Sequence, residues 1–276
     1  MATLFFGGCS TAKIAATMAQ PLVQGQYVSI QKEPDPTFAR QAMPASLKMM
    51  EGLLEESPEN EFLLLHLAEG YCGYAFSFLE TNDPQRAVLH YDRGRGFALR
   101  ALARTSPDLM ELSLDDYATA VATVQENSLP ALYWLGQCWG GWLMLSLDRP
   151  EAFADIPRLE RLIERTLELD PGFHFAGPHL LAGAFYGGRS KLLGGDMDKA
   201  RSHFEENLRL TEGKFLLSRV LYAKTLLVQT QDRDAFLKQL NLVLETPAEI
   251  LPQQRLANEV AKIKAKKLLE SVDDLF

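Results

Sequence analysis

The sequence predicts an all-α protein, and three observations carry that expectation. Apolar residues recur at i, i+3, i+4 and i+7 along most of the chain, whereas alternating Val/Ile/Thr-rich runs are scarce. Helix stops and starts are visible: Asp170-Pro171 ends one periodic run, and Asp196 opens another as an N-cap. The composition is that of a folded chain, with 276 residues, 47% hydrophobic and 23% charged.

The helices read as successive hairpins of roughly 34 residues, with small residues where two helices cross and a large one in the groove toward the next hairpin. A first unit, 60–107, has Gly70 in its first helix and Ala87 and Tyr91 in its second. A second, 130–172, sets Leu135-Gly136 and Trp139 against Leu159, Ile163 and Pro171, after an insertion in the turn. A third, 176–212, pairs Gly183 and Tyr186 with Ala200 and Phe204, and Lys199, Arg201, Glu205 and Glu206 face water. A fourth, 215–248, has Ala223, Ala235 and Pro247 in register, with Gln239 where an aromatic would stand. A capping helix over 252–275 follows, with Leu256, Val260, Ile263 and Leu268 on one side and a solvated basic face on the other. The spacing is that of degenerate tetratricopeptide hairpins, which stack as a right-handed superhelix because no hairpin buries its apolar face alone. Residues 10–276 therefore read as one helical-repeat domain.

Several function classes are set aside. A net charge of −8 argues against nucleic acid or an anionic membrane as main partner. The five histidines include no i, i+4 pair, and no nucleophile elbow or acid/base motif occurs. No enzyme, metal or cofactor is expected. The stretch FYGGRSKLLGGDMDK has no preceding strand and places Asp196 where an anion would sit. It reads as a turn: Gly194 and Gly195 relax the backbone and Asp196 caps the next helix. Cys72 and Cys138 sit in apolar stretches and read as buried free thiols.

The middle of the chain is the candidate site. Tyr133, Trp134, Trp139, Trp142, Phe173, Phe175, Phe185 and Tyr186 interleave with Gly136, Gly140, Gly141, Gly183, Gly187 and Gly188. Each helical glycine costs about 1 kcal/mol relative to alanine. The glycines are therefore expected to leave space, and the aromatics to wall an apolar pocket or channel. The expected lining is Trp134, Gln137, Trp139, Trp142, Phe185, Tyr186 and Arg189, with Gln137, Tyr186 and Arg189 placed to orient a carboxylate.

The series G177-P-x-x-x-x-G-x-x-Y186, R189-x-K-x-L-G-G-D196 and K-A200-x-x-x-F204 resembles the T-component (TatT) family of TRAP transporters. So do P44-x-x-L-K-x-x-E-G-L-L near the start and the end, L256-A-N-E-V-A-K-x-K-A-x-x-L-L with D273-D-L-F. The resemblance implies a periplasmic lipoprotein, a homotrimer with an apolar-lined hole in each protomer. It implies work with a solute-binding P subunit on a hydrophobic or organic-acid ligand. The alternative is an outer-membrane-anchored scaffold whose repeats grip a peptide or envelope-assembly partner. Phe6-Gly7-Gly8-Cys9 fits a lipobox, so 1–9 read as the remnant of a lipoprotein signal with Cys9 as the acylation site. Ser10 after it suits outer-membrane delivery, on the inner leaflet, and contact with the membrane would then run only through the acyl chain.

Overall fold

The computed structural model describes the backbone of residues 11–106 and 108–276, and their side chains from residue 17 onward. Cys9 and the rest of the expected signal remnant lie outside the described residues. Among the described residues every regular element is helical, and the protein is all-α.

Two helices, α1 (Thr11–Gln31) and α2 (Pro36–Glu56), precede the first expected repeat. Then come α3 (Glu61–Tyr74), α4 (Pro84–Leu102), α5 (Leu114–Ala122), α6 (Leu129–Met144) and α7 (Pro150–Leu169). The chain continues through α8 (Phe173–Gly187), α9 (Met197–Leu210), α10 (Leu217–Tyr222), α11 (Arg233–Glu245), α12 (Arg255–Glu270) and α13 (Val272–Leu275). Local chemistry sets many of the starts. Asp35, Asn60, Asp83, Ser113, Asp196 and Asp232 each accept a backbone N–H of the following turn. Proline at the first turn of α2, α4, α6 and α7 removes a donor that would have had no partner.

Sequential helices pair as α3 with α4, α6 with α7, α8 with α9 and α10 with α11. In the α8–α9 pair the Phe204 ring lies 3.0 Å from where a Cβ on Gly183 would be, so the missing side chain lets the ring lie flat against α8. Ala200 and Phe204 are fully buried. Helix α12 packs on α10 and α11 and also reaches α1 and α2, so the two ends of the described chain meet. Its buried face runs through Leu256, Val260, Ala261 and Ala265. Ile263, expected on that face, falls just past its edge and is 46% exposed.

Cys72 of α3 and Cys138 of α6 form a disulfide, with Cα atoms 5.3 Å apart. The expectation of two free thiols is thereby corrected. The residue that allows the close approach is Gly94 of α4, where a Cβ would stand 2.6 Å from one sulfur and 2.9 Å from the other. The apolar rod Glu61–Leu79 is as long as a membrane-crossing helix, but 56% of it is buried within the protein. It is a core helix, and it forms one wall of the interior cavity.

Candidate functional site

The interior holds a partly open cavity of about 300 Å³, walled by α1, α2, α3, α4, α6, α8, α10 and the start of α12. Most of the wall is apolar: Val23, Ile30, Leu47, Met50, Phe76, Leu143, Met144, Leu181, Phe185, Leu217 and Leu221. Along α3 the facing positions are His66, Glu69, Gly70, Gly73, Phe76, Ser77 and Glu80, a stripe at helical spacing. A Cβ on Gly73 would meet nothing within 4 Å, so this glycine opens directly onto empty space. The last turn of this rod is π-helical, Ala75–Leu79, and a second π-helical turn, Ala223–Leu227, follows α10. Such turns are frequent at functional sites, and the wider ring re-aims the side chains that follow. Here the two turns bring Glu80 and Lys224 together.

Two carboxylates of this segment face the cavity, Glu69 in the middle of the rod and Glu80 just past its end, and their surroundings differ. Glu69 accepts the Tyr27 hydroxyl at 2.6 Å and the Gln31 amide at 3.3 Å. It has no ion pair among the described residues. Burial pushes its carboxyl up to about 7, against the opposing effect of the Tyr27 hydrogen bond. Aromatic rings stand close by. Tyr27 meets His66 edge-on at 5.1 Å, and Tyr133 contacts both Trp134 and His174. Gln137 donates to the Tyr133 hydroxyl at 2.7 Å. Burial alone holds His174 down at about 4, so its imidazole is neutral at physiological pH.

His174 reaches this wall through unusual backbone. His174, Phe175 and Ala176 are all left-handed, with φ of 44°, 59° and 53°. A left-handed residue with a Cβ costs roughly 1–2 kcal/mol. The turn is held from α9, where the buried Asn207 amide donates to the carbonyls of Phe175 (3.1 Å) and Ala176 (2.9 Å). Gly177 follows, and any side chain there would collide with the Tyr133 ring. Strain of this kind persists where surrounding contacts over-determine it, and such places cluster at ligand sites.

The other end is charged on both sides. One oxygen of Glu80 accepts the Tyr91 hydroxyl at 2.7 Å, and the other lies 3.4 Å from Lys224 and 3.7 Å from Lys264. Burial pushes Glu80 upward, but the two lysines and Tyr91 outweigh it, and the carboxyl falls below its ordinary range. Lys264 sits 4.3 Å over the Phe76 ring, and burial lowers its ammonium to about 8. The expected solvated basic face of α12 is thus modified: Lys264 turns inward, Lys267 bonds Asn82 and Lys262 bonds the Leu244 carbonyl.

Of the residues expected to line a pocket, Trp134, Gln137 and Phe185 border the cavity. Trp139 instead donates to Asp155 at 2.8 Å and packs against Tyr117. Trp142 stacks under Arg95, and the Tyr186 hydroxyl donates to Glu160. Arg189 is turned into its own loop, donating to the carbonyls of Phe185, Leu193 and Gly194. These four lie outside the lining, each tied up by a partner elsewhere in the helical packing. The glycine argument also needs correction. Gly140 and Gly141 border the cavity, whereas Gly136, Gly183, Gly187 and Gly188 serve close packing. The turn itself has Gly194 at φ 76° and Asp196 accepting from Asp198 and Lys199. Gly195 packs so closely on the Arg189 carbonyl that no side chain fits.

The model of the TRAP transporter T-component family matches residues 32–276. The chain belongs to this family. A curated relative from Treponema pallidum (strain Nichols), described as an uncharacterized protein, is 23% identical over 264 residues, covering 89% of this chain and 81% of the relative. The family is a transporter component and not an enzyme. What sequence reasoning missed in this T-component is the pair of carboxylates, Glu69 and Glu80, that the rod presents to the cavity. A usable signal was present: Glu69, Gly73, Ser77 and Glu80 form a polar and small stripe on an otherwise apolar helix.

Proposed function

We propose that this T-component binds a hydrophobic or organic-acid ligand in its central cavity and works on that ligand together with a TRAP solute-binding P subunit. The observation that carries this reading is a mostly apolar cavity of about 300 Å³ bordered by Glu80 and Lys224 on one side, with Lys264 behind Glu80, and by Glu69 on the other. Its volume is at the lower edge of ordinary small-molecule sites, and its lining supplies the apolar burial that would drive binding. An organic acid would set its carboxylate at the Lys224 and Lys264 end, where two ammonium groups share one glutamate. The apolar lining favours this reading over a peptide-gripping scaffold.

The protein acts in the periplasm, anchored through an acyl chain on Cys9 in the inner leaflet of the outer membrane, and assembles as a homotrimer. Family membership and the Cys72–Cys138 disulfide support an oxidising compartment. The decisive test is Gly73→Trp, which fills the cavity from a position with open space and leaves the helix pairing untouched. It should keep its circular dichroism spectrum and lose binding of dodecanoate measured by calorimetry. Unchanged dodecanoate binding in this variant sinks the cavity reading. Co-purification with the P subunit tests the partner, and loss of membrane association in Cys9→Ser tests the anchor.

A further inference from the structure

The Glu69 end of the cavity lacks something its chemistry asks for. A carboxylate withdrawn from water is ordinarily met by a cation. Glu69 is met only by the neutral donors of Tyr27 and Gln31. Tyr133 lies within electrostatic reach of it, Trp134 and His174 pack edge-on to one another beside Tyr133, and all of them line the same cavity as Glu69. A carboxylate among aromatic rings is a recognition site for ammonium groups, where the ring quadrupole and the anion act on the same cation.

We propose that the Glu69 end binds a cationic group, an amine or quaternary ammonium, carried by the ligand at the end opposite its acid. This rests on the cavity being a ligand site, as proposed above, and it narrows the ligand to an amphiphile charged at both ends. Glu69 and Glu80 stand eleven positions apart, so the two charged groups are roughly 16 Å apart at about 1.5 Å per helical residue. The ammonium supplies the counter-charge that the fold withholds from Glu69, and the acid balances the surplus lysine at Glu80.

The test uses four probes of one chain length on the full protein by calorimetry: dodecanoate, dodecylammonium, dodecyltrimethylammonium and 12-aminododecanoate. Wild type should bind the amino acid most tightly. Glu69→Gln keeps the acceptor for Tyr27 and should fold with an unchanged spectrum. It should weaken the three cationic probes by about tenfold or more and leave dodecanoate within about twofold. Binding of dodecyltrimethylammonium should tighten from pH 6 to pH 8 in wild type, because the proton and the cation compete for Glu69, and should be flat in the variant. Tyr27 from α1 and Tyr133 and His174 from the facing helices stay neutral across this window, and burial lowers His66 on α3 itself, a contribution common to wild type and variant. Cationic probes that bind wild type and Glu69→Gln alike overturn the proposal. Binding of dodecanoate without any cationic probe also overturns it and leaves the cavity reading standing. Binding of none of the four overturns both.

Discussion

Glu69 and Glu80 are the same residue on the same helical rod, eleven positions apart, and the protein treats them oppositely. Both are drawn out of water, which by itself raises a carboxyl. At Glu69 only neutral hydroxyl and amide donors compensate, and the carboxyl rises to about 7. At Glu80 Lys224 and Lys264 reverse the effect, and the carboxyl stays ionised. The difference teaches that one end of this cavity is electrostatically complete and the other is left for something else to complete.

The largest break in the comparison should come at the complete end. Glu80→Gln removes the partner of Lys264, whose side chain is only 11% exposed. Stripping one member from a buried pair costs about 3 kcal/mol or more, so the midpoint of urea unfolding should fall sharply. A midpoint within experimental error of wild type would show that Lys264 finds water instead. Asn207→Leu comes next. It removes both hydrogen bonds that hold the left-handed turn carrying His174, and roughly 2 kcal/mol of stability should go with them. Hydrogen exchange should speed up at residues 174–177; unchanged protection there would mean that packing alone holds the turn.

The pH dependence of stability sharpens the contrast, because the two carboxylates have opposite signs. Glu69 is raised from 4.5 to about 7, so its folded state holds the proton more tightly. Its contribution is full at low pH and is lost as the pH climbs from about 4.5 through about 7. Glu80 is depressed, so its contribution is present above 4.5 and is lost on acidification through its folded value. Thermal melts of Glu69→Gln should lose the decline between pH 5 and 7 and keep the acid limb, whereas Glu80→Gln should do the reverse. Matching profiles for the two variants would remove the contrast. The smallest effect belongs to Gly73→Ala, which meets no neighbour and should raise stability by about 0.5–1 kcal/mol.

The all-α class and several helix pairings were legible in the sequence because their grammar is local. Gly183, Ala200 and Phe204 pack where their spacing said they would, and Asp196 caps α9. The site was legible only in part. Trp134, Gln137 and Phe185 face the cavity, but Trp139 and Tyr186 sit one side of the same helices and bond Asp155 and Glu160. Aromatic content does not say which face of a helix turns inward. The π-helical turns and the left-handed turn at His174 have no sequence signature of their own, because tertiary contacts such as that from Asn207 impose them. The cavity also needs α1 and α2, which lie outside the repeat pattern and reach α12 from the far end of the chain.

The central claim is that the space beside Gly73 is a ligand site. It is tested most directly by native mass spectrometry of wild type and Gly73→Trp, each purified from its own envelope. The wild-type protein should carry a bound small amphiphile and Gly73→Trp, equally folded, should carry none. A wild-type protein with nothing bound, or the same mass retained in both, would contradict the account.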